Sequence, residues 1–147
     1  MPFVAWLFEN IGIDLIYGLP GQSVESWIKD LGRALAYLPE HLSCYALTYE
    51  QGTPLAADME SKKFLPADDE QVAKLYLCTV EVLQSRGYER YGTSNFARSS
   101  DYRSRHNGKY WNLSPYLGMG PSSHSYFPPE RHEQHGVKLA SARAGNV

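Results

Sequence analysis

The sequence predicts an α/β fold: parallel strands joined through helices, forming an incomplete portion of a larger barrel. Three observations carry that prediction. Ile11 to Tyr17 reads IGIDLIY, an isoleucine-rich apolar run of strand length. A Gly/Pro turn then leads into apolar residues repeating at helical spacing. A second strand-like run, HLSCYALT, follows after a short connection. Strand, helix and strand with short links make a βαβ unit, whose two strands run parallel.

Taken in order, the first run is apolar enough to suit a strand buried on both faces. GLPGQ punctuates its end, Ser23 is placed to cap a helix, and Glu25 puts negative charge in the first turn, where the helix dipole favours it. Trp27, Leu31, Ala34, Leu35 and Leu38 share one helical face until Pro39 stops the helix. His41 to Thr48 is the next strand. Gly52, Pro54 and the charged ADMESKK stretch predict a loop with one irregular helical turn. Asp68, Asp69 and Glu70 load the start of a long helix with an apolar face of Val72, Leu75, Tyr76, Thr79, Val82 and Leu83. Gly87 is its C-terminal stop. Tyr88 to Thr93 is a third strand, expected in the same parallel sheet.

Beyond it the pattern gives way to loops dense in Asn, Arg, His, Tyr and Gly, and from Pro128 little hydrophobic pattern is left. The expected organisation is a partial barrel over residues 1–127 and an irregular tail over 128–147. Three strands and two helices do not close a barrel, and an open sheet this small leaves edges unpaired. Flanking strands and helices are therefore expected to lie outside this sequence at both ends.

Composition sets the outer bounds. The chain has 147 residues, 43% hydrophobic and 20% charged, which is ordinary for one folded domain. Fourteen basic side chains against 16 acidic ones give a net charge of -2, with no basic stripe to neutralise phosphates, so no nucleic-acid partner is expected. No apolar stretch approaches a membrane span, and MPFVAWLFEN lacks the basic start and small-residue cleavage site of a secretory signal. A cytoplasmic protein is the expectation. The two cysteines, Cys44 and Cys78, have no partner at metal-ligand spacing, so the chain by itself is expected to hold no metal or cluster.

Candidate ligand sites in parallel α/β folds lie on the loops after strand C-termini. The first such loop runs from Asp14 to Ser23, where glycines admit close backbone approach and the next helix offers N–H groups to an anion. Asp14 is a carboxylate inside an apolar strand: either protein N–H groups or an Arg satisfy it, or a ligand such as a ribose diol does. In the loop after the third strand, Arg98, Arg103 and Arg105 crowd around His106, with Tyr110 and Trp111 close behind. Cations beside aromatic planes suit a flat ligand bearing carboxylates, although a loop histidine is as readily a solvated one. YLGMGPSSHSY, containing His124, is a glycine- and serine-rich turn that could line a ligand or be an ordinary loop.

Together, IDLIYGLPGQS, HLSCYALTYEQGTPL, SNFAR, RHNGKYW and YLGMGPSSHSY resemble the HemN/HemW group of radical S-adenosylmethionine proteins, in order and with natural spacing, from Phe8 to Phe127. That group contains the oxygen-independent coproporphyrinogen III oxidases and related heme chaperones. The resemblance implies the C-terminal portion of a partial, TIM-like radical S-adenosylmethionine (β/α) barrel, with a [4Fe–4S] cluster and S-adenosylmethionine at the strand ends in the full-length parent. It implies that Asp14 contacts S-adenosylmethionine, and that Thr48 and His124 line the same cofactor. RHNGKYW matches the HNxxYW string of the chaperone branch, which makes His106 the implied heme residue.

The departures are equally specific. The family's CxxxCxxC motif, which supplies the cluster thiolates, is absent from this sequence. Met1 to Leu7 and the tail after Pro129 leave the family pattern. The implied function is that of a fragment of a HemW-like chaperone that binds heme and passes it to a recipient protein. The alternatives are oxygen-independent coproporphyrinogen III oxidase, which decarboxylates coproporphyrinogen III oxidatively to protoporphyrinogen IX, and a nonfunctional gene fragment. Whether the parent is an enzyme stays open at this point, and the chain alone is expected to be catalytically inert.

Overall fold

A computed structural model of the chain describes residues 8–121 and 123–128. The irregular tail read from residue 128 onward lies, but for Pro128, outside the described residues. The chain forms two compact units that divide between Ser104 and Arg105.

In the first unit, β1 (Gly12–Tyr17) and β2 (His41–Ala46) pair in parallel from Gly12↔His41 to Tyr17↔Ala46. Helix α1 (Val24–Leu35) connects them. Ser23 caps it reciprocally with Ser26: the Ser26 N–H donates to the Ser23 hydroxyl, and the Ser23 N–H to the Ser26 hydroxyl. The helix stops at Leu35. Leu38 does not continue its apolar face: it takes φ 54° and is 41% exposed. The proline that follows disfavours the right-handed helical conformation at Leu38, so the helix does not continue through it.

The segment expected as a loop with one irregular helical turn contains a regular helix of 7 residues, α2 (Pro54–Glu60). Thr53 caps it by accepting the Ala56 N–H, and Pro54 fits the first turn, where no intrahelical donor is needed. Helix α3 (Asp69–Ser85) begins on an Asp68 cap that accepts the Gln71 N–H at 2.7 Å. It ends where Gly87 takes φ 82°: the Gly87 N–H donates to the Gln84 carbonyl and the Tyr88 N–H to the Leu83 carbonyl, both at 3.0 Å. Those are the paired bonds of a glycine-terminated helix.

The third strand departs from expectation. Only Glu89–Arg90 (β3) forms within Tyr88 to Thr93, and it lies at the sheet edge. Asn95–Ala97 (β4) is inserted beside β2 instead, antiparallel to β2 and to β3, so the order is β1-β2-β4-β3 and the sheet is mixed. Burial explains the insertion: Phe96, opposite Leu42, brings a large side chain into the core, which the exposed Glu89 and Arg90 cannot do.

The core lies on one face of this sheet. Tyr17, Leu42, Cys44 and Phe96 meet Trp27, Leu31, Ala34 and Leu35 of α1 and Leu75 and Leu83 of α3, with Tyr88 completing the cluster. Across the helix pair, the Trp27 indole N–H donates to the buried Thr79 hydroxyl at 2.7 Å, which itself donates to the Leu75 carbonyl. Since both helices cover the same face, β1 is not buried on both sides. Gly12, Asp14 and Ile16 are exposed, Ile16 at 52%.

In the second unit, RHNGKYW is not loop but helix: α4 runs Arg105–Trp111. Beyond it Tyr116 and Tyr126 exchange backbone hydrogen bonds at 2.8 and 2.9 Å, closing the intervening loop. Gly118 lies against the His124 backbone, where any Cβ would collide with it.

Candidate functional site

Strand register decides which side chains share the uncovered sheet face. Alternation puts Asp14 and Ile16 of β1 on the same face as His41, Ser43 and Tyr45 of β2 and Asn95 and Ala97 of β4. This face is polar where the opposite one is apolar. At its strand-start end, Tyr91 packs on His41 with ring centroids 5.7 Å apart, and its hydroxyl lies 2.5 Å from His41 Nε2 while accepting the Ser104 N–H at 3.0 Å. Burial therefore holds His41 below the ordinary imidazole range, with the Asp14 carboxylate pulling the other way. Toward the strand ends the face opens, and Ile16 and Tyr45 are exposed.

Asp14 lies between these regions, in register with buried Ser43. Among the described residues no hydrogen bond or ion pair engages its carboxylate, so the protein-satisfied alternative for this aspartate is not realised there. Thr48 lies two residues past β2 and is exposed. The glycine loop after β1 is not the open anion cradle the sequence suggested. Gly18 and Gly21 adopt positive φ, but the Gly18 N–H donates to Gln22 Oε1 at 2.8 Å, and Leu19 donates to the same oxygen at 3.4 Å. Gln71 Nε2 in turn donates to the Gln22 carbonyl at 3.0 Å, tying the loop to α3.

His106 and His124 belong to the second unit, Asp14 and Thr48 to the first. On α4, His106 and Tyr110 are one turn apart on one face, their rings edge-on at 5.2 Å, with the Tyr110 hydroxyl 3.2 Å from His106 Nε2. Tyr110 meets Tyr116 at 5.0 Å, and Tyr116 meets Tyr126 at 6.0 Å, continuing an aromatic row from the histidine. His106, Tyr110 and Trp111 are exposed, as is His124. The expected crowd of three arginines is redistributed. Arg98 stacks on Tyr88 and donates to its hydroxyl, while Arg103 stacks on Tyr91 and pairs with Glu89, all within the first unit. Arg105 remains adjacent to His106 on α4.

The cysteines do not form a metal site. Cys44 is 2% exposed on the core face, and burial pushes its thiol up to about 12. Cys78 sits on α3, its thiol also raised by burial. No group of three or more His, Cys, Asp or Glu side chains is arranged for a metal among the described residues. No described helix is long and apolar enough to cross a membrane. The reading from sequence missed the His41–Tyr91–Ser104 contact and the placement of buried Ser43 and Asn95 on the uncovered sheet face. The alternation of His, Ser and Tyr with Leu, Cys and Ala in HLSCYA was the available signal for the two-faced strand.

No protein-family model matches the chain. Over 120 residues it is 40% identical to radical S-adenosyl methionine domain-containing protein 1, mitochondrial, of Danio rerio, a match covering 82% of this chain and 27% of that protein. Over 119 residues it is 34% identical to the heme chaperone HemW of Bacillus subtilis (strain 168), covering 81% of this chain and 31% of the relative. The chain belongs to the HemN/HemW family. Its structure matches that of Escherichia coli coproporphyrinogen III oxidase (HemN), described as a radical SAM enzyme, with a TM-score of 0.58 and 26% identity over 81% of this chain and 30% of that one. The α/β fold is accordingly part of the HemN radical SAM fold. The chain spans less than a third of the length of these HemN/HemW relatives.

Proposed function

We propose that the chain is the part of a HemW-type heme chaperone that carries the heme-side histidine and one wall of the S-adenosylmethionine site. The observation that carries this reading is α4, where RHNGKYW becomes a helical turn with His106 exposed and Tyr110 beside it. Imidazole is a good axial donor to heme iron, and Arg105 and Lys109 on the same helix can pair with propionates. Similarity to a protein named as a heme chaperone supports the same reading. The partners that go with it are heme or a porphyrin and a heme-recipient protein. The compartment is the cytoplasm for a bacterial parent, and the mitochondrion for one resembling the Danio rerio relative.

On the S-adenosylmethionine side, Asp14 is proposed to accept the ribose hydroxyls, with Thr48 and His124 lining the cofactor. The carboxylate fits that role because no described side chain consumes its lone pairs and the face around it is partly open. The residues present do not fit a [4Fe–4S] cluster, since one thiol faces the core and the other sits on a separate helix, so cluster ligation is assigned to no residue here. A second reading, oxygen-independent coproporphyrinogen III oxidase, is favoured by the structural match to HemN. Titration with hemin separates the two. The chaperone reading expects a shifted Soret band that His106→Ala weakens or alters. A spectrum and affinity unchanged by the substitution would reject the heme assignment, and anaerobic decarboxylation of coproporphyrinogen by the parent would install the oxidase reading.

A further inference from the structure

The hydrogen bond between Tyr110 and His106 occupies the nitrogen that a macrocycle can reach. Nδ1 of an imidazole lies beside its own main chain, whereas Nε2 is the outermost ring atom. A disc as wide as a porphyrin therefore approaches Nε2 more easily, and it is Nε2 that lies 3.2 Å from the Tyr110 hydroxyl. The contact is set by the helix, since residues four apart on one face are neighbours. Tyr110 is itself positioned, its ring held edge-on to His106 at 5.2 Å and packed against Tyr116 at 5.0 Å. Whichever partner carries the shared proton, the phenol and a heme iron compete for one ring nitrogen.

We infer that Tyr110 is a built-in competitor for the His106 iron ligand, tuning the site for release of heme rather than for its retention. The inference rests on the heme reading of His106 and adds the regulation of that site. In the bound state, the Nε2 lone pair goes to the iron and the imidazole proton resides on Nδ1, having moved there through water where Nε2 carried it before, while the phenol O–H turns to water. On release the phenol returns to Nε2, so the free imidazole is recaptured by a partner already in place. A neutral hydrogen bond of this exposed kind has a modest net worth, which corresponds to roughly a 2- to 10-fold effect on affinity. The device lowers occupancy without abolishing it, as transfer to a recipient requires.

The test uses the 147-residue chain with hemin as probe, comparing Tyr110→Phe, which keeps the ring and removes only the hydroxyl, with His106→Ala. Tyr110→Phe is expected to bind hemin roughly 2- to 10-fold more tightly, with the same ligation spectrum as the unsubstituted chain. Its transfer of heme to excess apomyoglobin is expected to slow by a similar factor. Far-ultraviolet circular dichroism checks that both variants keep their helical content. Equal or weaker hemin binding by Tyr110→Phe, with His106→Ala still defective, overturns the competitor role and leaves the heme reading standing. A loss of the ligation spectrum in Tyr110→Phe also overturns it, by making the phenol itself a ligand. Indifference of hemin binding to His106→Ala removes both the heme reading and this inference.

Discussion

Thr79 offers a test of the packing that holds the sheet face in place. It is fully buried, accepts the Trp27 indole N–H at 2.7 Å and donates to the Leu75 carbonyl at 2.7 Å. Thr79→Val keeps the side chain's shape and removes the oxygen. The Leu75 carbonyl retains its place in the α3 backbone ladder, so losing the threonine hydroxyl there costs little. The indole N–H, in a residue only 1% exposed, is left without a partner. An unsatisfied buried donor costs about 1–3 kcal/mol, and at about 4 °C per kcal/mol for a chain of this size the melting midpoint should fall by about 4–12 °C. Circular dichroism and tryptophan fluorescence melts measure it. The decisive comparison is a double-mutant cycle with Trp27→Phe, in which no indole remains to be orphaned. In that background Thr79→Val should cost under about 1 kcal/mol. A penalty of the same size in both backgrounds would refute the attribution to the Trp27–Thr79 bond, and no penalty in either would refute the bond's importance altogether.

Two further outcomes concern the polar face. Asp14→Asn in a full-length parent should weaken S-adenosylmethionine binding by about 10-fold in calorimetry, through loss of charge-assisted bonds, and change stability by under about 0.5 kcal/mol because the side chain is exposed; unchanged affinity would return Asp14 to a purely surface role. His41 is held below its ordinary value of 6.5 by burial, so the unfolded chain binds more protons on acidification than the folded one. Its contribution to stability is present above about pH 6.5 and is lost as pH falls below it. Denaturation midpoints should decline from pH 7 to pH 5, and His41→Gln should flatten that decline; a slope identical in the variant would assign it to other groups.

The parts legible in the sequence are those fixed by local chemistry. Ser23, Asp68 and Gly87 act at helix ends as their side chains, or the lack of one, dictate, and the apolar faces of α1 and α3 follow from spacing within each helix. What was not legible depends on pairing at a distance. Nothing local in SNFAR requires Asn95 to Ala97 to enter the sheet between β2 and β3; the gain is burial of Phe96, which exists only once Leu42 stands opposite. The open face of β1 was misread for a related reason. IGIDLIY is apolar throughout, and composition cannot tell that both helices fall on the side of Ile13, Leu15 and Tyr17. The helix over Arg105–Trp111 escaped because a glycine and an asparagine lower its propensity and no hydrophobic face advertises it.

That contrast also separates the two halves of the functional proposal. An aspartate, a threonine and one open strand face supply only a few of the contacts that a nucleoside-sized ligand needs, and the stretch matched here is 30% of the HemN chain. Affinity for S-adenosylmethionine is therefore a property to seek in a full-length parent. The histidine is different. Its geometry toward Tyr110 is made within a single helical turn, and Tyr116 and Tyr126 extend the same row within the same compact unit. Axial ligation of hemin asks for one exposed imidazole and a surface for the ring to rest on, both local. Hemin binding by the isolated chain without measurable S-adenosylmethionine binding is thus the combination that the division into a long-range site and a short-range site requires.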